Sequence, residues 1–375
     1  RGHKIWHDAI HDAGMQYDYV PDLLLRLGEF DIDHYKVLIL PLAFAIGEEE
    51  AEVIREFVEK GGTVIADIRP GTYDDHCKPL EKGILDDLFG IEREGKLDAF
   101  EIDRMRVGGE VDGTPVSMEW GNWNGVEIYP QMKVDPAVRA TIGKPLGLAD
   151  LIHFWDMKRP VCVVNEVGKG RAILLNFSVY NAPFSGLLTD LLASAGSAPK
   201  IEVTNPEGES IPGLEITRWK NGEIELVSLM GHHEGPVHVS LPDNQFVYDL
   251  KKGESLGRIK TFKTDVHTVR PSLFALLDRE SPRPEIKLES ESIGKGSVGR
   301  ATIRVPGAKG KHALKVTAKT SMEEEADWMK DILLLDEGPK EVRLPIAFDD
   351  PEGTWTFSAR DLYTGESGTV SFRVE

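Results

Sequence analysis

Up to about residue 200, continuous apolar runs alternate with amphipathic stretches. Trp6, Ile10 and Ala13 recur at helical spacing, and Gly14 follows as a stop. "MQYDYVP" reads as a short strand and "DLLLRLGEF" as a short helix. "KVLILP" is apolar without alternation, the pattern of a parallel strand covered on both faces. "GEEEAEVIREFVEKGG" predicts a helix whose acidic start suits the helix dipole. Its inward stripe is Ile54, Phe57 and Val58, and Gly61 is its stop. "TVIADI" is the next buried strand and "LEKGILDDLFG" a further predicted helix. Residues 96–160 are irregular and rich in Gly, Pro and Trp, and read as an insertion with its own strands. "PVCVVNEVGKGRAILLNF" is a hairpin turning at Gly168–Gly170, and "FSGLLTDLLASAG" is a closing helix. This alternation predicts a parallel sheet with helices on both sides. The chain enters on a helix, so the first strand of that sheet is expected before Arg1. A start at Arg rather than Met likewise reads as a processed chain or a piece of a longer one.

Beyond residue 200 the helical periodicity stops. "GLEITRWKNGEIELVSLMG" is a hairpin with Asn221-Gly222 at its turn. "GPVHVSLP", "QFVYDLKKGESLG" and "SLFALLD" continue a small β domain, and "RESPRPE" reads as a linker. The last ninety or so residues alternate with period two. The series are Ala301, Ile303, Val305; Leu314, Val316, Ala318; Val342, Leu344, Ile346, Phe348; Trp355, Phe357, Ala359; and Val370, Phe372, Val374. Five such segments suggest a β-sandwich of immunoglobulin type. The expected domains are 1–200, 201–282 and 283–375.

Composition narrows the function classes. The 375 residues are 41% hydrophobic and 29% charged, which is ordinary for a globular protein. With 63 acidic against 44 basic residues the formal charge is −19, which argues against a broad basic face for nucleic acid or anionic membrane. No apolar run approaches the ~18 residues of a membrane span. Two cysteines, Cys77 and Cys162, are too few for a disulfide framework or a structural zinc site.

Ligands of open α/β sheets bind at the carboxyl ends of the strands. Here that edge carries Pro41–Ala45 and Asp67–His76. A glutaminase-like site needs a Cys on the strand-to-helix turn, with a His and an acid beside it. The loop offers Asp67, Arg69, Asp74 and Asp75 but no nucleophile at the turn. Cys77, between His76 and Lys78, lies about ten residues too far along. The carboxylates are a candidate for a cation or a sugar; charges of this kind more often solvate a loop. His3, His7 and His11 share one helix face at metal-ligand spacing, without an accompanying HExxH, and also read as a polar edge. His232 and His233 read as loop residues. "GKGSVG" (294–299) matches a phosphate-loop pattern but precedes a strand, so it reads as a turn. Asn176 in "NFS" falls in a buried stretch. Trp120 and Trp123 in "EWGNWNG" can stack on a sugar face, with Glu119, Asn122 and Asn124 beside them for its hydroxyls, or belong to the core.

In their order, these parts resemble the C-terminal half of family 42 β-galactosidases and related bacterial glycoside hydrolases. The resemblance rests on "YKVLILP", the acidic helix, "FVEKGGTVIAD", "LEKGILDDLFGIEREG" and "NEVGKGRAILLNF", and then "IPGLEITRWKNGEIELVSLMGH", covering residues 1 to about 280. It implies a flavodoxin-like, class I amidotransferase-like trimerisation domain without its nucleophile, then a small β domain. "PIAFDDPEGTWTFSARDLYTG" resembles Ig-like modules appended to bacterial surface and hydrolase proteins. The family's two catalytic glutamates lie on a preceding barrel, so no catalytic residue carries over to this chain, and no cofactor or metal is implied. The expected partners are an upstream catalytic domain, further copies in a trimer, and carbohydrate. The expectation is thus a non-catalytic assembly region. Its alternatives are a carbohydrate-binding or adhesive protein, and a divergent amidase using the 67–77 loop.

Overall fold

The computed structural model describes residues 2–95, 100–121, 132–151, 154–179, 184–336 and 338–375. The chain forms two compact units, Arg1–Pro199 and Lys200–Glu375.

The first unit runs α1 (Gly2–Asp12), α2 (Asp22–Arg26), β1 (Val37–Leu40), α3 (Glu48–Glu59), β2 (Thr63–Ala66), β3 (Ile91–Arg93), β4 (Phe100–Val111), β5 (Thr114–Gly121), β6 (Met132–Val134), β7 (Val138–Ala140), β8 (Lys144–Leu151), β9 (Phe154–Val167), β10 (Gly170–Leu175) and α4 (Ser185–Ser194). Its main sheet has the order β1-β2-β10-β9-β8-β4-β5, with β6 beside β4. Only β1, β2 and β10 are mutually parallel; from β10 onward the pairings are antiparallel. The parallel part of the sheet expected from the alternation is therefore confined to three strands. The stretch 96–160 is not a separate insertion. Its strands β4, β5, β6 and β8 extend the same sheet, because the β9–β10 hairpin turns the chain back and offers an antiparallel edge, while β7 pairs with β3 in a two-stranded sheet.

Helices cover both faces of the parallel part. Ile65 and Ile173 face Trp6 and Ile10 of α1, Ala13 just after it, and Leu188 and Leu191 of α4. Val64, Ala66 and Leu174 face Ile54, Phe57 and Val58 of α3, the stripe read from the sequence. Glu50, in the first turn of α3, accepts a hydrogen bond from the Gly47 amide (2.7 Å) and caps the helix start. Two predicted elements are absent. Residues 15–21 are extended but pair with no strand among the described residues. "LEKGILDDLFG" forms successive turns, closed by Asp86 N to Gly83 O (3.0 Å) and Ile91 N to Asp86 O (2.9 Å). Its apolar residues Leu85, Leu88 and Phe89 are buried as a helix would bury them. Glycines at 83 and 90 bracket the stretch, and the Asp86 carboxylate accepts from the Gly83 amide (2.9 Å) in competition with helical pairing.

The second unit begins with β11 (Glu202–Thr204), β12 (Leu214–Asn221), β13 (Ile224–Gly231), β14 (Gly235–Asp249), β15 (Glu254–Val266) and β16 (Ser272–Leu277), an antiparallel sheet of order β11-β14-β16-β13-β12 with β15 on β14. The expected hairpin is present, but Asn221 pairs with Ile224, so its two turn residues are Gly222, at φ +62°, and Glu223 rather than Asn221 and Gly222. There follow β17 (Glu285–Leu288), β18 (Ser292–Ile293), β19 (Val298–Arg304), β20 (His312–Lys319), β21 (Asp331–Leu335), β22 (Lys340–Pro345), β23 (Gly353–Asp361) and β24 (Ser367–Val374). They make two sheets, β17-β19-β22 and β18-β24-β23-β20-β21, around one core containing Ile303, Leu314, Val316, Trp355 and Phe357. Phe348, read as part of the β22 alternation, lies past the strand end and is 82% exposed. The segment read as a linker is tied down: Ser281 N donates to Tyr248 Oη (3.0 Å) and Arg279 pairs with Glu223 (2.6 Å). Residues 294–297 are a turn, as expected.

Candidate functional site

The parallel register aligns Leu40, Ala66 and Leu174, so three chain segments leave the sheet side by side. This is the rim where such sheets place ligands. Asp67 follows β2 directly and is fully buried. One oxygen accepts from the Leu42 amide at the end of β1 (2.7 Å) and the other from Trp6 Nε1 of α1 (3.0 Å). Burial pushes its pKa up to about 6, against the lowering effect of these two donors. Asp67 thus ties α1, β1 and β2 together, and both oxygens are taken.

Arg69, in a left-handed conformation at φ +61°, points its guanidinium at Asp135 (Nε 3.1 Å). Asp135, just after β6, is 2% exposed and also accepts from Arg93 Nε (3.4 Å) and Ala137 N (3.1 Å). Arg93 pairs in turn with Asp86. Asn176, at the end of β10, donates to the carbonyls of Asp135 (3.0 Å) and Pro160 (2.9 Å). The rim is thereby filled by a buried polar network of the chain's own residues. Sequence reading singled out Arg69 but not its partners. Asp135 and Arg93 lie 66 and 24 residues away in sequence, and no local pattern marks them.

The remaining loop residues sit apart from this network. Asp74 accepts from the amides of Lys78 (2.8 Å) and His76 (2.9 Å), and the bond from Lys78 is the chief cause of its lowered pKa. Asp75 bonds the His76 ring (2.8 Å), which raises the imidazole's pKa. The donor atoms of Asp74, Asp75 and His76 lie within 4.8 Å of one another. Each already serves the turn, as in a self-capped, solvated loop. Cys77 is exposed at φ +59°, and its amide donates to Asp74 O (2.9 Å). Cys162 is buried in β9, where desolvation pushes its thiol up to about 12.

His7 and His11 pack ring to ring (4.0 Å between centroids), and His7 Nδ1 bonds Tyr17 Oη. His7, with His3, lines a cavity of about 680 Å³ bounded by α1, residues 15–20 and β1. Trp120 is 5% exposed, in the same core as Trp6, so its ring offers no open face for stacking. Glu119 pairs with Arg106 (2.6 Å). Trp123, Asn122 and Asn124 lie outside the described residues. His232 and His233 lie in a loop after β13.

Residues 3–197 match the family model described as the β-galactosidase trimerisation domain. The chain is 26% identical over 222 residues to β-galactosidase BglY of Alicyclobacillus acidocaldarius, covering 58% of this chain and 30% of that protein. It is 27% identical over 266 residues to β-galactosidase BgaP of Planococcus sp., covering 69% and 35%. It thus spans about a third of the length of these relatives. The β-galactosidases of Bacillus circulans sp. alkalophilus and Rahnella sp. R3 share its fold. Their TM-scores are 0.55 and 0.52 at 18% and 19% identity, covering 72% and 71% of this chain and 36% and 35% of theirs.

Proposed function

Because this chain belongs to the β-galactosidase trimerisation domain family, we propose that it is the non-catalytic assembly region of a carbohydrate-active enzyme of β-galactosidase type. Its work is association into a homotrimer and support of a catalytic barrel carried elsewhere in the parent protein. Within it, residues 201–282 act as a small β domain and 283–375 as an appended Ig-like sandwich. The observation that supports this reading best is the state of the rim. Asp67, Arg69, Asp135 and Asn176 bond one another or neighbouring backbone, and the exposed thiol of Cys77 sits in a turn away from them. A retaining glycosidase needs two carboxyl groups ~5 Å apart across an open cleft, one of them able to attack a sugar. The rim carboxylates of this unit are instead consumed by structure.

Two measurements on the purified chain test the proposal. Light scattering is expected to give three times the 41.6 kDa of one chain. Assay with a nitrophenyl β-galactoside is expected to give no turnover. A monomer at all concentrations overturns the assembly role, and turnover that is lost in Cys77→Ala or Asp67→Asn overturns the non-catalytic one.

A further inference from the structure

The β17–β24 sandwich has four edge strands among the described residues, β17 and β22 in one sheet and β18 and β21 in the other. A bare edge is a template for another chain, and natural edges are blunted by shortness, charge, proline or a bulge. Three of these four are blunted. β18 has only two residues, Ser292 and Ile293. β17 exposes Glu285 and Lys287, and β22 exposes Lys340, Glu341 and Arg343 and ends on Pro345. β21 is the exception. Its outward side chains are Ile332 and Leu334, each 61% exposed, while Leu333 and Leu335 fill the core.

The backbone of β20 fixes which groups of β21 are open. Ala313 O accepts from Leu362 N (2.8 Å), so the N–H and C=O of Ala313 and Lys315 face β23. Those of His312, Leu314 and Val316 then face β21, where they stand opposite Leu335, Leu333 and Asp331. The N–H and C=O of Ile332 and Leu334 are left on the outer side. There Ile332 N donates to Asp331 Oδ1 (2.8 Å), and Leu334 O accepts from Lys340 Nζ (3.1 Å). Both bonds lie at the exposed surface, so a strand that replaces them loses little.

We propose that β21 is a two-fold contact between two copies of this chain, joining their five-stranded sheets edge to edge. Antiparallel pairing about an axis at Leu333 sets Ile332 of each copy against Leu334 of the other. It pairs the open N–H and C=O of both residues and closes a row of four aliphatic side chains on the outer face. The same register sets Lys330 of each copy against Asp336 of the other, and both residues are exposed. A shift of two residues either way sets Leu334 against Lys330 or Ile332 against Asp336, so charge and apolar character agree on one register. One pair of five-residue strands is small beside the ~1,200 Å² of a stable interface, and the contact forms as concentration rises. It is independent of the trimer proposal, since it multiplies whatever assembly the rest of the protein makes.

Hydrogen exchange and light scattering on the full chain, across about a hundredfold range of concentration, test it. At the top of the range the amides of Ile332 and Leu334 are expected to slow at least ~10-fold. The mass is expected to reach at least twice its dilute value, whether that value is one copy or three. Leu334→Lys changes a side chain that is already exposed. It is expected to leave the thermal melt of the dilute chain unmoved and to abolish the slowing at the Ile332 amide. Charge reads the register: Lys330→Glu is expected to weaken the contact about 10-fold, and Lys330→Glu combined with Asp336→Lys to restore it. Exchange at Ile332 and Leu334 that does not change with concentration overturns the contact, as does slowing that Leu334→Lys leaves intact. A double variant as weak as Lys330→Glu alone overturns the two-fold register.

Discussion

Asp67 has both oxygens engaged, by Leu42 N and Trp6 Nε1, and burial raises its pKa from 3.8 to about 6. The folded chain therefore holds this proton more tightly than the unfolded chain. The stabilisation is full below pH 3.8 and is lost as pH rises through about 6. At 1.36 kcal/mol per pKa unit the loss is about 3 kcal/mol. Asp67→Asn removes the titration. Urea unfolding at a series of pH values is expected to show the variant gaining about 3 kcal/mol relative to the parent between about pH 4 and pH 7; parallel pH profiles for the two chains count against the assignment. Asp135 carries the opposite weight. It holds Arg69 and Arg93, whose side chains are 26% and 7% exposed. Asp135→Ala takes a shared carboxylate from Arg69 and leaves buried Arg93 with its Asp86 pair, an expected loss of about 3 kcal/mol. A change in urea midpoint equivalent to less than about 1 kcal/mol would mean that water replaces the carboxylate.

At the scale of elements, the β9–β10 hairpin sits against the end of α3 with no room for a side chain at its turn. A Cβ on Gly170 would lie 2.1 Å from Gly62 O and 2.3 Å from Val58 O. Gly170→Ala must push α3 away from the hairpin and is expected to cost at least ~2 kcal/mol. Gly186, in the first turn of α4, has no atom within 4 Å of its Cβ position. Gly186→Ala is expected to stabilise by up to about 1 kcal/mol. Thermal melts of the two variants should move in opposite directions, and a shared direction would mean that crowding at the hairpin is relieved elsewhere. The same contrast between pattern and context explains "LEKGILDDLFG". Its buried side chains were legible as an amphipathic face, but the chain buries them with turns, since bracketing glycines and the Asp86 bond to Gly83 N (2.9 Å) compete with helical pairing.

For the molecule as a whole, the second unit has its own cores, one in the β11–β16 sheet and one between the two later sheets. A chain of residues 200–375 is accordingly expected to fold alone, with a cooperative urea transition and a β-type circular dichroism spectrum. A gradual, non-cooperative loss of signal would show that it depends on residues 1–199. Among the described residues no helix is long and apolar enough to cross a membrane.

The sequence by itself determined the elements whose information is local. α1, α3, β1, β2, the β9–β10 hairpin, the β12–β13 hairpin and the period-two strands each carry their apolar spacing and their stop signals within a dozen residues. It missed β21, whose "DILLL" places Leu333 and Leu335 inward while Ile332 and Leu334 remain exposed, so apolar character alone did not reveal its alternation. What only the tertiary structure decided was partnership. That 96–160 extends the main sheet, that Arg69 meets Asp135 and Arg93, and that Trp120 turns inward all depend on contacts between distant parts of the chain. Hydrogen bonds and ion pairs act over a few ångströms in space, whatever the separation along the chain, so a one-dimensional pattern names the groups that need partners without saying which partners they find.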